Sequence, residues 1–503
     1  MRTVEDAILA IDLGTSSVKT LILSSGGLIL ARGQASYPTS HPRPGFDEQL
    51  LDDWLQGIIA ATASARRFAP LARIQAIAIT GQMHGTAMLD RHGMPLHPAI
   101  IWSDRRASEL LPGIQARLGS TLPTTIGGAL GTGYLALSLA WIREHRPHLW
   151  KEIAQVGLPA DFLGFLLTGV MATDPSNAVS SGLLNAETLR WDESLLSAFD
   201  IPADWLPTLI PTGSQVGTLA AEAAEALDLS PGLPVFHSGG DAPVAAIGGH
   251  VSTHAQAMIT ISTGAQVMRP TDRYVPEPEG RWHTWPAALP PEAPGSRWLS
   301  VGATLNAGRA IDWIHRTLAP STSLADILEL VQAVPVGSGN LLFIPHLAGE
   351  RSPLLDPYAR GAFIGLSDIH GPEHMVRAVL EGVALSLADT LDRMTPDSDR
   401  PGQVVFGGGG ASREMRQIMA NVIGVPLAIP PVQESSALGA ARIGSHTLGW
   451  INLMECQSAS LAPGSIIHPT QAEHDVYHER LEVFRDSVAA NLSIMHRLQR
   501  LHP

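Results

Sequence analysis

Two aspartates, each placed where an apolar segment runs into glycine and hydroxyl residues, are the strongest candidates for chemistry in this chain. The first is Asp12, in Asp12-Leu13-Gly14-Thr15-Ser16-Ser17, directly after the apolar run from Ala7 to Ile11. Glycine lets backbone N–H groups come close to a phosphate, and the hydroxyls beside it add donors. A carboxylate next to such a loop can hold the Mg²⁺ of ATP, directly or through water. An ordinary hairpin turn uses the same residue types, so the segment alone leaves both readings open. The second is Asp241, in Gly239-Gly240-Asp241-Ala242-Pro243, after the run from Leu233 to Phe236. An isolated Asp at a helix start most often caps the helix, and Pro243 marks such a start. A cap does not require two preceding glycines, however, and these read as room for a substrate beside the carboxylate.

Other phosphate chemistries are excluded by composition. Lysine occurs only as Lys19 and Lys151, and neither follows a glycine, so a Walker-type Gly-Lys-Ser/Thr loop is absent. Phosphate must therefore be met by backbone amides, arginine, hydroxyls and a metal ion. The run Gly407 to Gly410 fails the dinucleotide pattern, because Ser412 and Arg413 stand where its last Gly or Ala belongs. A glycine-rich turn lying flat beneath a nucleotide remains open, as does a purely structural turn. His84 is bracketed by Gly81 and Gly85, but it is one of 20 histidines and a weak signal alone. Neither a His-Glu-x-x-His motif nor a cysteine cluster supports a zinc site.

The elements that must position these residues alternate between strands and helices. Ala7 to Ile11, Val18 to Leu23 and Leu28 to Ala31 read as a strand and a hairpin turning at Gly26-Gly27. Ile74 to Ile79 is a strand ending at Gly81-Gln82-Met83-His84-Gly85, and Leu233 to Phe236 is another ending at Asp241. Strands that stop at glycine-rich turns predict an α/β sheet with ligands at its carboxyl ends. The second half repeats the opening. Ala257 to Ile261 runs into Ser262-Thr263-Gly264 and returns over Gln266 to Met268, and Val404 to Phe406 leads through Gly407 to Gly410 to a helix over Ser412 to Ile423. The expected boundary falls at Gly248-Gly249-His250, giving domains 1–250 and 251–503. The proline-rich stretch from Pro270 to Pro294 reads as a long surface hairpin loop.

Bulk properties agree with this division. A chain of 503 residues exceeds one ordinary core, and two domains of about 250 residues are the natural expectation. With 45% apolar and 16% charged residues the composition is globular. Cys456 is the only cysteine, so no intrachain disulfide forms, which fits a reducing compartment. No signal-peptide pattern opens the chain, and no uncharged apolar run reaches about 18 residues, so a soluble cytoplasmic protein is expected, without a membrane. The net charge of −14 argues against a nucleic-acid partner.

In this order and spacing, the segments resemble the FGGY family of carbohydrate kinases, most closely its xylulokinases. The resemblance rests on Asp12-Leu13-Gly14-Thr15, Gly81-Gln82-Met83-His84-Gly85, Trp102-Ser103-Asp104-Arg105-Arg106, Gly239-Gly240-Asp241, the segment from Phe343 through Glu350-Arg351-Ser352-Pro353, and Gly407-Gly408-Gly409 with Ser412. It covers nearly the whole chain. It implies two actin-like ATPase (ribonuclease H-like) domains with ATP and a sugar meeting in the cleft between them, and a homodimer is compatible with it. By the resemblance, Asp241 is the base that takes the proton from the sugar hydroxyl, Asp12 belongs to the catalytic set and to Mg²⁺, and Met83, His84 and Asp104 contact the sugar. Thr15, Ser16 and Thr263 would meet the phosphates, while Gly308, Gly408 and Ser412 hold the nucleoside. Phosphoryl transfer through a loose transition state suits such a set, since catalysis is then mostly positioning and charge neutralisation. Four positions depart from the pattern: Ala242 in place of Asn, Ser262 and Ala265 in place of Gly, and Ser138 in place of Lys. The expected reaction is ATP-dependent phosphorylation of a ketopentose, D-xylulose first. Its rivals are another sugar or polyol (ribulose, L-xylulose, a pentitol) and a sugar-binding sensor without turnover.

Overall fold

The computed structural model describes residues 4–318, 323–395, 399–430, 432, 434–453 and 466–501. The start of the chain, residues 1–3, and Cys456 lie outside them. Among the described residues no helix is long and apolar enough to cross a membrane.

The first sheet is built from β1 (Glu5–Leu13), β2 (Ser17–Ser24), β3 (Ile29–Ser36), β4 (Ala72–Gly81), β5 (Gln215–Thr218) and β6 (Pro234–Gly240). Its order is β5-β6-β4-β1-β2-β3, with β1, β4 and β6 parallel. Central parallel strands are covered on both faces, which is why Ala7 to Ile11 reads as an unbroken apolar run and is wholly buried. On one face lie α1 (Leu51–Phe68), through Trp54, Ile58 and Ala61, and α2 (Pro159–Thr168), through Phe162 and Leu163.

The second sheet comprises β7 (Gln256–Ile261), β8 (Ala265–Thr271), β9 (His283–Pro286), β10 (Trp298–Thr304), β11 (Gln403–Gly407), β12 (Leu427–Ala428) and β13 (Ile466–Ile467). Its order, β9-β10-β8-β7-β11-β12-β13, repeats that of the first sheet strand for strand. The exception is β9, an added edge strand without a counterpart. Helices Gly308–Leu318 (α4), Pro372–Arg393 (α5), Arg413–Ile423 (α6) and Gln471–Leu501 (α8) enclose its core.

The remaining faces are covered crosswise. Helix α3 (Asp241–Gly248), which leaves the first sheet, packs Ala242 and Ala246 with Met258, Met268, Val405 and Ala428 of the second. Helix α7 (Ser435–Thr447), which follows the second sheet, packs Ala440, Ala441 and Ile443 with Ile8, Ala76, Ala78 and Phe236 of the first. A cut at 250 therefore separates each sheet from one of its covering helices. The two helices meet backbone to backbone: a Cβ at Gly439 would stand 2.0 Å from the Val244 carbonyl oxygen, and one at Gly248 would stand 1.9 Å from that of Ser435. Gly439→Ala must push the helices apart, and overpacking of this kind costs roughly 1–3 kcal/mol. Calorimetry is expected to show a lowered unfolding temperature, while Gly402→Ala, where a Cβ meets nothing within 4 Å, leaves it unchanged.

The proline-rich stretch is not the surface loop expected. Trp285, Ala288, Leu289 and Ala293 are buried, and Pro286 is tolerated because β9 lies at a sheet edge. The segment docks on the first half. Thr284 N donates to the Gly127 carbonyl at 2.7 Å, and the Tyr274 hydroxyl donates to that of Thr124 at 2.6 Å.

Candidate active site

Asp12 and Asp241 leave the same edge of the first sheet on either side of β4. Asp12 lies opposite Thr80, and Gly240, just before Asp241, lies opposite Gly81. Two strand spacings place their backbones roughly 10 Å apart. Asp12 is buried and its Oδ1 has no partner among the described residues. Burial pushes its carboxyl up to about 6, against the opposing pull of Lys19. The loop after it is held from three sides. The Tyr37 hydroxyl donates to the Gly14 carbonyl, Gln49 Nε2 donates to the Thr15 carbonyl at 2.6 Å, and Trp102 Nε1 donates to Thr15 Oγ1 at 2.9 Å. Ser16 is exposed beside it.

Asp241 is the first residue of α3, with Gly240 as an N-cap that makes no side-chain bond. Its Oδ1 accepts from its own neighbour, Ala242 N, at 2.8 Å, so it serves the first turn from inside the helix while Gly240 holds the cap position. Burial, then the nearby charge of Asp12, pushes its carboxyl up to about 7. The two preceding glycines do not leave open room, as the sequence suggested. A Cβ at Gly240 would lie 2.6 Å from Met83 Cγ, and one at Gly239 would lie 2.3 Å from Ser176 Oγ. They admit Met83, from the loop over residues 81–85, and Ser176 against the backbone before Asp241 instead.

In that loop His84 holds a left-handed φ of 62°, an uncommon conformation for a residue with a side chain. It is fixed by Ser180, whose hydroxyl accepts from His84 N and whose carbonyl accepts from Nδ1, each at 2.9 Å. Nδ1 is thus the protonated nitrogen and Nε2 the acceptor. Burial pushes its pKa down to about 4, so the ring is neutral at pH 7. Tyr134 lies against it at 4.2 Å. Gln82 connects this loop to the first one, since Gln49 Oε1 accepts from Gln82 Nε2 at 3.1 Å. Ser138 is buried with an unpartnered Oγ.

Asp104 requires correction. It does not line the cleft but is buried, with Arg106 paired to it at 2.9 Å and Asp47 N donating to it at 2.7 Å. Its carboxylate is fully engaged in holding the 102–106 loop. That loop reaches the site through Trp102 and Thr15.

Across the cleft, a cavity of about 300 Å³ gathers Thr263, Gly308 and Ser412 with Ser262, Asp312 and Gly410, against an apolar wall of Ile311, Leu324 and Leu328. Gly408 supports it from beside. At φ +95° its Cα lies so close to the Ile261 carbonyl that a Cβ would stand 2.2 Å from it. Ser412 Oγ caps α6 by accepting from Met415 N at 3.2 Å, which leaves its O–H free to donate. Ser262 is exposed on the cavity side, so its side chain does not crowd the loop. Asp312 escaped the sequence reading, although it lies one helical turn beyond Gly308.

The duplicated sheets with crossed helices, and a cleft carrying carboxylates on one side and a glycine-rich cavity on the other, define the actin-like ATPase fold. Models of the FGGY family of carbohydrate kinases match the chain over residues 7–248 (N-terminal domain) and 257–448 (C-terminal domain). The chain belongs to this family and is a sugar kinase that uses ATP as phosphate donor. It is 33% identical over 437 residues to a xylulose kinase of Escherichia coli K12, covering 86% of this chain and 89% of that protein. It is 28% identical over 495 residues to a gluconokinase of Bacillus subtilis, covering 95% and 94%. The crystal structure of a xyloylose kinase from Brucella ovis superposes with a TM-score of 0.89 at 27% identity, covering 97% of this chain and all of that one.

Proposed function

We propose that the acceptor is a 2-ketopentose, D-xylulose first, and that Asp241 is the general base. The observation that supports this reading is the contact of Met83, from the 81–85 loop read here as the acceptor loop, with the backbone at Gly240, which brings the loop bearing a neutral His84 against a carboxyl of raised pKa. Asp241 takes the proton of the attacking hydroxyl as the phosphoryl group transfers. Met83 supplies an apolar contact, and Nε2 of His84 accepts from a hydroxyl. Thr15, Ser16 and Thr263 present hydroxyls and amides to the phosphates, with Gly308, Gly408 and Ser412 at the nucleoside.

Asp12 fits Mg²⁺, because it combines a buried carboxylate with an unpartnered oxygen. Among the described residues no three His, Cys, Asp or Glu side chains converge to hold a metal. An ion brought by ATP would therefore take most of its ligands from phosphate and water, and it would supply charge neutralisation.

The test is the ratio of kcat/KM for D-xylulose to that for D-ribulose, L-xylulose, pentitols and D-gluconate. D-xylulose is expected to lead. A tenfold advantage for any other acceptor overturns the sugar while leaving the kinase intact. Gluconate belongs in the panel because the Arg351 guanidinium, with no hydrogen-bond partner among the described residues, acts on His84 through its charge.

A further inference from the structure

The strand that the second sheet adds to the duplicated plan, β9, carries two side chains, two residues apart and so on one face, that reach the acceptor loop. Trp285 lies 5.9 Å from His84, ring to ring and near edge-on. It shares one apolar cluster with Met83 and with Ala242, the residue after the base. His283 stacks on Trp285 at 4.6 Å. Its ring lies against Gly128 of the first half, where a Cβ would stand 2.0 Å from Nδ1. Trp285 Nε1 and His283 Nδ1 are both buried and without a hydrogen-bond partner among the described residues. A buried donor left unpaired is destabilising, so an orphaned N–H beside His84 and Met83 calls for a partner that a ligand there would supply. Burial, then the neighbouring His84 and Arg351, pushes His283 down to about 3. With both imidazoles uncharged, this wall suits a neutral hydroxylated acceptor.

We infer that Trp285 and His283 form the second-half wall of the acceptor site, with Trp285 Nε1–H donating to a sugar hydroxyl, so that both halves determine which acceptor is taken. Placing sugar-reading groups on the nucleotide half ties acceptor recognition to the correct approach of the two halves. As an edge strand outside the repeated plan, β9 can carry such groups without disturbing the duplicated core. The inference rests on the reading of the Met83–His84 loop as the acceptor pocket.

The test uses steady-state kinetics on the full chain with Trp285→Phe, which keeps the ring and loses the N–H, and His283→Asn, with His84→Ala as the reference. Each β9 variant is expected to raise KM for D-xylulose about tenfold, the size of one hydrogen bond at its upper end, and to leave KM for ATP unchanged. Trp285→Phe should also shrink the preference between D-xylulose and its C3 epimer, D-ribulose, by about the same factor. If His84→Ala raises the sugar KM but both β9 variants keep wild-type sugar constants, the inference is overturned and the pocket reading stands. If His84→Ala leaves the sugar KM unchanged as well, the pocket reading fails and takes the inference with it.

Discussion

Asp241→Asn is expected to lower kcat by about 10²–10⁴-fold, the usual contribution of a positioned general base, with sugar affinity close to that of the parent protein. Asn keeps the volume and can still accept from Ala242 N, so α3 begins as before. What it loses is the capacity to take a proton. Calorimetric titration with sugar in the absence of nucleotide checks the affinity, and initial rates check kcat. Turnover within a few-fold of the parent would leave Asp241 as a structural residue. Because the base must be ionised and its carboxyl sits at about 7, kcat/KM for the sugar should rise with pH up to that region and then level.

Asp12→Asn is expected to reduce turnover with MgATP on the order of 10²-fold, comparable to removing a preorganised charge-stabilising group. Sugar binding without nucleotide should be nearly intact, and a selective loss of it would contradict the metal role. Two further effects follow from the charge. Asp12 raises the pKa of Asp241, so its removal moves the acid limb of the remaining activity to lower pH. Its own carboxyl is raised from 3.8 to about 6. The folded protein therefore binds a proton that the unfolded chain has released, and this group lowers stability as pH climbs toward 6. Above that pH the ligand-free Asn variant should melt at a higher temperature than the parent protein. A residue that gains stability when neutralised while losing turnover is retained for chemistry.

The strands, and the placement of Asp12 and Asp241 at their carboxyl ends, were legible because local signals specify them. Apolar runs ending in glycine mark the carboxyl edge of a parallel sheet, and the same signal recurs at Asp12, Gly81, Asp241 and Thr263. Asp104 was misjudged because a carboxylate in a conspicuous motif looks the same in sequence whether it faces a cleft or an arginine two residues on. Only tertiary placement, with Asp47 N donating to it, decides between them. Asp312, His283 and Trp285 were missed for a related reason. Asp312 depends on the orientation of α4. His283 and Trp285 sit in a segment whose prolines suggest a loop, where the alternation His-x-Trp was the available sign of a strand face. The crossed helices left no local mark at all, since Gly248 and Gly439 resemble any other helix glycine until the two backbones are seen in contact.

That crossing bears on how the chain folds. Each half leaves one face of its sheet bare unless a helix from the other half arrives. In a nascent chain ending near 250 the Ile8, Ala78 and Phe236 surface has only Val244 and Ile247 of α3 against it, and its main cover, α7, comes almost two hundred residues later. The contacts that complete the first core thus have a very large sequence separation, a topology that slows folding and prolongs the exposure of apolar surface. The family's two-domain division describes its architecture, whereas the exchanged helices predict that the halves unfold as one unit. Heat or denaturant should find no stable first half surviving the loss of the second.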